Sequence, residues 1–390
     1  MKNGHGSGGP CLFGDAYTVG VQRGLAEFRA GRPVIIKAAD DAIVALPVDG
    51  AQADRIAAFK GLFHPRLPQL VITARRARAL GLEAAEPLLL ELDPVDDAMS
   101  IFALAADADV DRRIVTSPAG PAAIAAIELA KLVQRLPALL VADAAAMSAI
   151  VIDPPLVSVA ASAVASFRRE IIGSLTVAGD ARVPLQNGLT TRVVVFRDAI
   201  GGSPVAIIVG EPDFARPMPV RLHSACLTGD VFGSRRCDCG DQLRLALTRL
   251  EEAGGGVILY LEQEGRGLGL ANKMRAYDLQ DDGLDTVDAN TTLGFDDDER
   301  DYGVAARMLE MLGCSRVIML TNNPGKLDGL ADAGIEISGR MPLNTPIHAH
   351  NRRYLSAMAR RAGHLLDGIL ADGEAAEVAP ARLRPERPVT

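Results

Sequence analysis

The sequence is poor in several things, and most of these shortages narrow what the chain can do. Of its 390 residues none is tryptophan and 4% are aromatic, which by itself excludes no function. No run reaches the roughly 20 apolar residues that a membrane-spanning helix needs. Positive charge is in deficit: 41 Lys and Arg stand against 49 Asp and Glu, a net charge of -8. At long range that balance repels polyanions and anionic surfaces, which argues against a general nucleic-acid or membrane-surface binder. A small anionic substrate stays possible, because it needs only a local cluster of Arg, Lys and backbone N–H groups. The first ten residues are Gly-rich and polar with no apolar signal region, so a cytoplasmic location is expected. No internal repeat is visible. Cysteine is also scarce, five in all, yet three of the five fall between positions 226 and 239. In a long chain with no export signal such clustering points to metal binding or catalysis rather than to disulfides. Cys11 and Cys314 stand alone, and the apolar flanks of Cys314 predict a small core residue.

What is present is the composition of a globular protein, 48% hydrophobic and 23% charged with 38 Gly and 23 Pro. The length predicts two or three domains. Helical spacing of apolar residues predicts helices over residues 19–28, 51–63, 73–80 and 121–136, with Gly31 closing the first. Short apolar runs predict strands over 33–36, 43–48, 138–141 and 156–159. After the Pro154-Pro155 stop a linking helix is expected over 160–172, and the texture changes across 176–184. Strands over 191–196 and 205–209, joined by a Gly-rich turn, predict a hairpin. The expected organisation is a disordered start (1–16), an N-terminal α/β domain of non-catalytic role (17–175), a second domain carrying the chemistry (176–372) and a disordered tail (373–390). The expected fold class is α/β with mixed α+β character.

Four segments carry chemistry. The first runs Arg221-Leu222-His223-Ser224-Ala225-Cys226 and on to Cys237-Asp238-Cys239 and Gln242. If Cys237 and Cys239 sit on an extended stretch they share one side, with Asp238 turned away. A loop over 228–233 is long enough to bring Cys226 back onto them. Zinc takes soft thiolates and four ligands, so three protein thiolates leave a position for water, the mark of a catalytic site. His223 is the other candidate for that fourth position, and buried reduced thiols are the bland alternative. In the second segment an apolar strand over 257–261 runs into Glu262-Gln263-Glu264-Gly265-Arg266-Gly267 and a helix expected over 271–280. Such a loop reads either as a plain strand-to-helix turn or as backbone N–H groups closing on phosphate, and Arg266 favours the second. The third, Asp296-Asp297-Asp298-Glu299-Arg300-Asp301, reads either as a solvated helix N-terminus or as a functional loop. The fourth is a strand over 317–320 ending in the polar loop Thr321-Asn322-Asn323-Pro324-Gly325-Lys326, at the strand end where α/β proteins bind ligands.

In this order the four segments closely resemble GTP cyclohydrolase II, over about half of the chain, from near Leu175 to near Leu370. The stretches that carry the resemblance are CLTGDVFGSRRCDCGDQL, QEGRGLGLANKMRAYDLQDDGLDTVDAN, LGFDDDERDYG and LTNNPGKL. The resemblance implies that Cys226, Cys237 and Cys239 hold one zinc ion. It places Arg221, Leu222, His223, Ser224, Ala225 and Gln242 around the nucleotide, with Glu264, Gly265, Arg266, Thr286, Thr321 and Lys326. It implies Asp298 as proton acceptor, Arg300 as nucleophile on the α-phosphate and Tyr277 in ring opening. A guanidinium is a poor nucleophile, and charge stabilisation by Arg300 with Asp298 paired to it is the better physical expectation. The implied reaction is hydrolysis of GTP, brought with Mg²⁺, to a phosphoribosylated diaminopyrimidinone, formate and pyrophosphate, the first step of riboflavin biosynthesis. A zinc-held water of lowered pKa would attack C8 of the guanine. A homodimer is implied as well.

Several positions depart from the family pattern. Ala225 stands where the family usually has Glu, Glu262 where it has a basic residue, Ser203-Pro204 where it has an acidic–His pair, and Ala357-Met358 where it has Thr-Lys. These departures leave a second reading, a non-catalytic or altered-specificity GTP-binding paralogue. The first half is similar, in Gly31-Arg32-Pro33-Val34-Ile35-Ile36 and in residues 73–82, to 3,4-dihydroxy-2-butanone 4-phosphate synthase. That chemistry needs a carboxylate-dense loop, and only Asp40-Asp41 follows the strand here, so no lyase activity is expected of this half.

Overall fold

The computed structural model describes residues 14–148, 152–186 and 188–366. Cys11, most of the expected disordered start and the whole expected tail lie outside the described residues. Order begins earlier than expected: helix α1 (Ala16–Arg29) is capped by Asp15, whose carboxylate accepts the Thr18 N–H at 2.9 Å. The chain continues through β1 (Val34–Lys37), β2 (Ala42–Pro47), α2 (Ala53–Leu62), β3 (Gln69–Ile72), α3 (Ala74–Ala79), β4 (Leu88–Leu90), α4 (Ala98–Ala106) and β5 (Thr116–Pro118). Then come α5 (Pro121–Leu132), β6 (Ala138–Asp143), β7 (Ser158–Ala160) and α6 (Ala161–Gly173). These strands form one seven-stranded mixed sheet in the order β5-β4-β3-β6-β2-β1-β7. Alternation along β2 sends Ile43 and Ala45 into a core with α1, α5 and α6, and Val44 and Leu46 into a second core with α2 and α4. Both faces are covered, which is why the strands read as continuous apolar runs rather than as alternating ones.

The second sheet begins with β8 (Thr176–Pro184), β9 (Thr190–Arg197) and β10 (Val205–Gly210), continues through β11 (Met218–Ser224), α7 (Cys239–Glu252) and β12 (Gly255–Leu261), and includes α8 (Leu270–Asp281) and α9 (Thr286–Thr292). It closes with α10 (Gly303–Met311), β13 (Arg316–Leu320), α11 (Pro324–Asp332), β14 (Glu336–Met341) and α12 (Arg352–Arg361). The strand order is β14-β13-β11-β12-β10-β9-β8. The four strands β12, β11, β13 and β14 run parallel, while β10, β9 and β8 are antiparallel, including the expected β9–β10 hairpin. The parallel part puts the carboxyl ends of β11, β12 and β13 side by side, the place where open α/β sheets bind ligands. No helix of the described residues is long and apolar enough to cross a membrane.

Three expectations need correction. Helix α5 stops at Leu132 rather than at 136, because Gln134 takes a left-handed conformation with φ +57°. The change of texture at 176–184 is the edge strand β8, exposed along nearly its whole length, so no burial pattern marked it. The third concerns the end of β13. Pro324, Gly325 and Lys326 are not loop but the first turn of α11, with Asn323 accepting the Gly325 N–H at 2.9 Å as N-cap. Cys314 is 1% exposed in the core of the second sheet, as expected.

The two sheets are joined by a shared apolar cluster in which Ala106 and Leu136 meet Leu268, Ala276, Ala289, Leu293 and Phe295. Beside it Arg76 is 1% exposed. Its guanidinium donates to the carbonyls of Leu104 at 2.9 Å, Ala103 at 2.8 Å and, across the junction, Thr292 at 3.0 Å. Thr73 Oγ1 donates to the Gly294 carbonyl at 2.7 Å. Gly294 has φ +84°, and a Cβ there would sit 3.1 Å from Thr73 Oγ1, so only glycine fits. Burial pulls the Arg76 guanidinium down to about 10, still cationic at neutral pH. Replacing Arg76 by Leu leaves the buried carbonyls of Leu104 and Thr292 without that donor, while Ala103 keeps the Asp107 N–H. The expected loss is about 3 kcal/mol, read as a lowered urea midpoint of the full chain; a shift worth less than about 1 kcal/mol would count against the role given to Arg76.

Candidate active site

Strand β11 delivers the first group of side chains. Its two-residue period sends Met218, Val220 and Leu222 into the sheet core and turns Arg221 and His223 to the opposite face. Leu222 therefore does not line the site with its side chain, contrary to expectation. It contributes its carbonyl, which accepts from Lys326 Nζ at 2.7 Å. Arg221 is 4% exposed, donates to the Leu320 carbonyl at 3.1 Å and donates to Gln242 Oε1. Burial lowers its pKa to about 10. Gln242 in turn donates to Asp238, which also accepts from Thr345 Oγ1 at 3.1 Å.

The three cysteines converge, though not on an extended stretch. Cys226 follows β11, Cys237 lies in a turn and Cys239 is the first residue of α7, so the turn rather than strand alternation aligns the last two. Asp238, between them, is buried at 4% exposure. The three sulfurs lie within 4.8 Å of one another and all are free thiols. Cys226 and Cys237 sulfurs are 3.7 Å apart, close to the ~3.8 Å separating two sulfurs bound at about 2.3 Å around a tetrahedral zinc. A Cβ on Gly229 would come 3.0 Å from the Cys226 sulfur and 3.1 Å from the Cys237 sulfur, so a side chain in the turn that cradles the trio would press the two thiols out of place. The donor set and spacing fit zinc.

Proton-sharing with Cys237 and Cys239, together with the Lys273 ammonium, holds the Cys226 thiol far below its ordinary pKa. The hydrogen bond to Cys226 and burial raise Cys237. His223 does not join the thiol cluster: its Nε2 faces the Asp230 carboxylate at 3.1 Å and its ring stacks on Tyr260, while its Nδ1 is buried without a partner. Asp230 also accepts the Cys226 N–H at 3.0 Å and the Tyr260 hydroxyl at 2.9 Å.

The loop after β12 makes the opposite wall. Gly265 and Arg266 both adopt φ +63°, a conformation that costs a side-chain-bearing residue about 1 kcal/mol. Arg266 is held in it by donating to the Asp297 carbonyl at 3.2 Å and by accepting the Glu299 N–H at 3.1 Å. Glu264 accepts from the Leu227 N–H at 2.7 Å and from Lys273 Nζ at 2.8 Å. Lys273 also reaches the Cys226 sulfur at 3.0 Å. Sequence reasoning missed Lys273, although it precedes Tyr277 by one helical turn and shares its face. The Arg236 guanidinium covers the Tyr277 ring at 4.4 Å.

The acidic segment is a loop ahead of α10, not a helix N-terminus. Within it Arg300 forks onto Asp298, Nε to Oδ1 at 2.7 Å and Nη2 to Oδ2 at 2.5 Å. Burial alone would raise the Asp298 carboxyl, but the fork with Arg300 holds it below the usual range. Burial would lower Arg300, and Asp298 outweighs it and keeps the guanidinium protonated.

Every expected site residue except Leu222 and Asp298 lines one cavity, from Arg221, Ser224 and Ala225 through the thiols to Tyr277, Thr286, Thr321 and Lys326. Asp298 reaches it only through Arg300. The cavity also has Tyr354 and His364 in its wall, from the segment where sequence reasoning noted only Ala357-Met358. The Nε2 of His364 is buried without a partner, and burial pushes that imidazole down to about 3, so it is neutral.

Comparison with known proteins decides the family. The GTP cyclohydrolase II family model matches residues 176–342. The GTP cyclohydrolase-2 of Azospirillum brasilense is 40% identical over 360 residues, covering 88% of this chain and 93% of that protein. The chain belongs to the GTP cyclohydrolase II family. The enzyme class expected from the sequence stands with it. A GTP cyclohydrolase-2 from Azotobacter vinelandii is 49% identical over 194 residues, 50% of this chain but 93% of its own length. The riboflavin biosynthesis protein RibBA of Bacillus cytotoxicus is 53% identical over 163 residues, covering 42% of this chain and 41% of its own.

The departures from the GTP cyclohydrolase II pattern now have places. Glu262 accepts the Ser203 N–H at 3.1 Å. With Pro204 and Ala225 it borders a cleft facing Lys131, Gln134 and Arg168 of the first half. Met358 places its sulfur against the Arg266 guanidinium. Gly229→Ala should leave the helical content unchanged and cut bound zinc to well under one per chain, measured by metal analysis after gel filtration. A full equivalent of zinc in that variant would refute the cradle.

Proposed function

We propose that this chain catalyses zinc-dependent hydrolysis of GTP, releasing formate and pyrophosphate and leaving the phosphoribosylated diaminopyrimidinone that opens riboflavin biosynthesis. The observation that carries the reading is the convergence, in one cavity, of a three-thiol cluster and a set of buried or half-buried cations, Arg221, Arg266, Arg300 and Lys326. The first fits a hydrolytic metal and the second a triphosphate. Cys226, Cys237 and Cys239 would hold the zinc, which when bound supplies a water of lowered pKa as the nucleophile for opening the imidazole ring. Lys273 offsets thiolate charge beside it.

The chain's own groups divide the remaining work. Tyr277 is a phenol kept protonated by burial, which raises its pKa above the ordinary value, so it donates a hydrogen bond or proton to the opening ring. Arg221, Gln242, Ser224, Ala225 and Thr286 frame the base and sugar, while Glu264 and Gly265 hold the turn that presents Arg266. Arg266, Arg300 and Lys326 neutralise phosphate charge, with Mg²⁺ arriving on the GTP. Thr321 completes the wall at the end of β13. Arg300, forked onto Asp298, serves as a charge stabiliser for the α-phosphate rather than as its nucleophile; a phosphoenzyme trapped on Arg300 would reverse that assignment. Asp298 remains the proton acceptor of the pair. A homodimer and a cytoplasmic location belong to the same proposal.

Purified zinc-loaded protein given GTP and Mg²⁺ should release formate and pyrophosphate in equal amounts with the pyrimidine. Absence of formate sinks the reading in favour of a GTP-binding paralogue. Cys237→Ser should remove zinc and turnover together, and turnover persisting without zinc would exclude the metal role. Tyr277→Phe should retain zinc and lower formate release on the order of a hundredfold, with pyrophosphate release less affected. Equal formate from the variant and the parent would remove Tyr277 from the ring-opening step.

A further inference from the structure

Among the described residues the first half carries no metal-holding group of its own, since the thiol trio is the only cluster of its kind found there. Its polar contacts instead concentrate on the segment of the second half that bears Tyr277, Thr286, Asp298 and Arg300. Asn272 of α8 donates to the Gln134 carbonyl at 2.9 Å, the carbonyl exposed by the left-handed turn that ends α5. Arg76 and Thr73 hold the end of α9 and Gly294. Two cations then meet the acidic loop: Arg75 pairs with Asp296 at 2.7 Å and Lys131 of α5 pairs with Glu299 at 2.8 Å.

These two pairs are not equivalent. Arg75 and Asp296 side chains are 41% and 50% exposed, a setting in which an ion pair contributes little. Lys131 and Glu299 side chains are 10% and 12% exposed. Glu299 is also the knot of the loop. Its carboxylate accepts the Asp296 N–H at 2.9 Å, and its own N–H reaches the Arg266 carbonyl at 3.1 Å. One residue thus ties the acidic loop to itself and to the Arg266 turn, between Asp298 on one side and Arg300 on the other. Lys131 is the cation that balances it. Without that cation, Glu299 would hold a largely buried carboxylate within a run that also carries Asp296, Asp297, Asp298 and Asp301, and repulsion would loosen the loop.

We propose that Lys131 is a positioning residue for GTP hydrolysis: by neutralising Glu299 it fixes Asp298, Arg300 and Arg266 at the cavity, so that the first half of the chain is a clamp on the catalytic loop. The proposal rests on the reading of the reaction given above. Its test therefore has a readout that does not need turnover. In the full-length zinc-loaded protein, amide hydrogen exchange is measured for Asp296 and Glu299, whose N–H groups both lie inside the knot. Steady-state GTP hydrolysis and zinc content are followed in parallel for Lys131→Met, Lys131→Arg, Glu299→Gln and the double variant K131M/E299Q.

The expected result for Lys131→Met is exchange at Asp296 and Glu299 faster by tenfold or more, with β12 amides unchanged. Its kcat should fall at least tenfold, with KM within threefold and zinc still stoichiometric. Lys131→Arg should restore both readouts, and the double variant should be no worse than Glu299→Gln alone. Unchanged exchange at both amides in Lys131→Met overturns the clamp. So does loss of zinc along with activity, or a double variant whose losses multiply. If the parent protein releases no formate, the reading of the reaction fails by itself, and the exchange data alone still decide for or against the clamp.

Discussion

Several cations buried around one cavity repel one another, and the geometry of the site follows from how each is compensated. Arg221 spends its donors on the Leu320 carbonyl and Gln242, Lys326 on the Leu222 carbonyl, Arg266 on the Asp297 carbonyl and Arg300 on Asp298. Lys273 is shared between Glu264 and the Cys226 sulfur. Three of these acceptors are neutral backbone carbonyls and a fourth is the neutral Gln242 amide, which leaves the positive charge only partly neutralised. Burial and the neighbouring guanidinium groups of Arg221 and Arg300 depress Lys326 well below its ordinary pKa. A polyanion entering the cavity relieves that strain, so the cost of holding the site together is offset by binding.

The same accounting explains what was legible in the sequence. The thiol cluster was visible from spacing, because three cysteines among Gly and Arg residues have few uses other than metal. The conformation that unites them was not, since a Cys-x-Cys pair reads equally well on a strand or at the start of a helix, and α7 begins on the second cysteine. Strand β11 was placed as a source of ligands, yet its alternation separates Leu222 from Arg221 and His223. Contiguous residues in a motif do not all face one way. His223, a candidate for the fourth position, lies outside the thiol cluster and turns its Nε2 to Asp230, a contact seven residues away that no spacing rule announces. Tyr354 and His364 were illegible for a similar reason: they reach the cavity only because the chain after β14 folds back over it.

The first half shows the opposite balance. Many of its helices and strands followed from hydrophobic period, but β3, β4, α4 and β5 were not anticipated, and one left-handed glutamine ends α5 where composition would continue it. Its relation to the second half followed from nothing in the sequence. The acidic run at 296–301 has two assignments in space, with Asp296 and Glu299 turned toward Arg75 and Lys131 while Asp298 holds Arg300. Read along the chain, it is simply acidic. Likewise Ala225, Glu262 and Ser203-Pro204 looked like scattered departures from a family pattern and are neighbours along one cleft.

A junction sealed at Gly294 by contact with Thr73, and at Arg76 by the Thr292 carbonyl, leaves little slack for a substituted surface. The relative from Azotobacter vinelandii is matched over nearly its entire length by half of this chain. Fusing the present first half onto such a protein would produce a working joint only if the recipient offered a glycine in the position of Gly294 and a free carbonyl in that of Thr292. The two halves are therefore mechanically one piece: a substitution on one side of the seam is felt directly by the residues packed on the other.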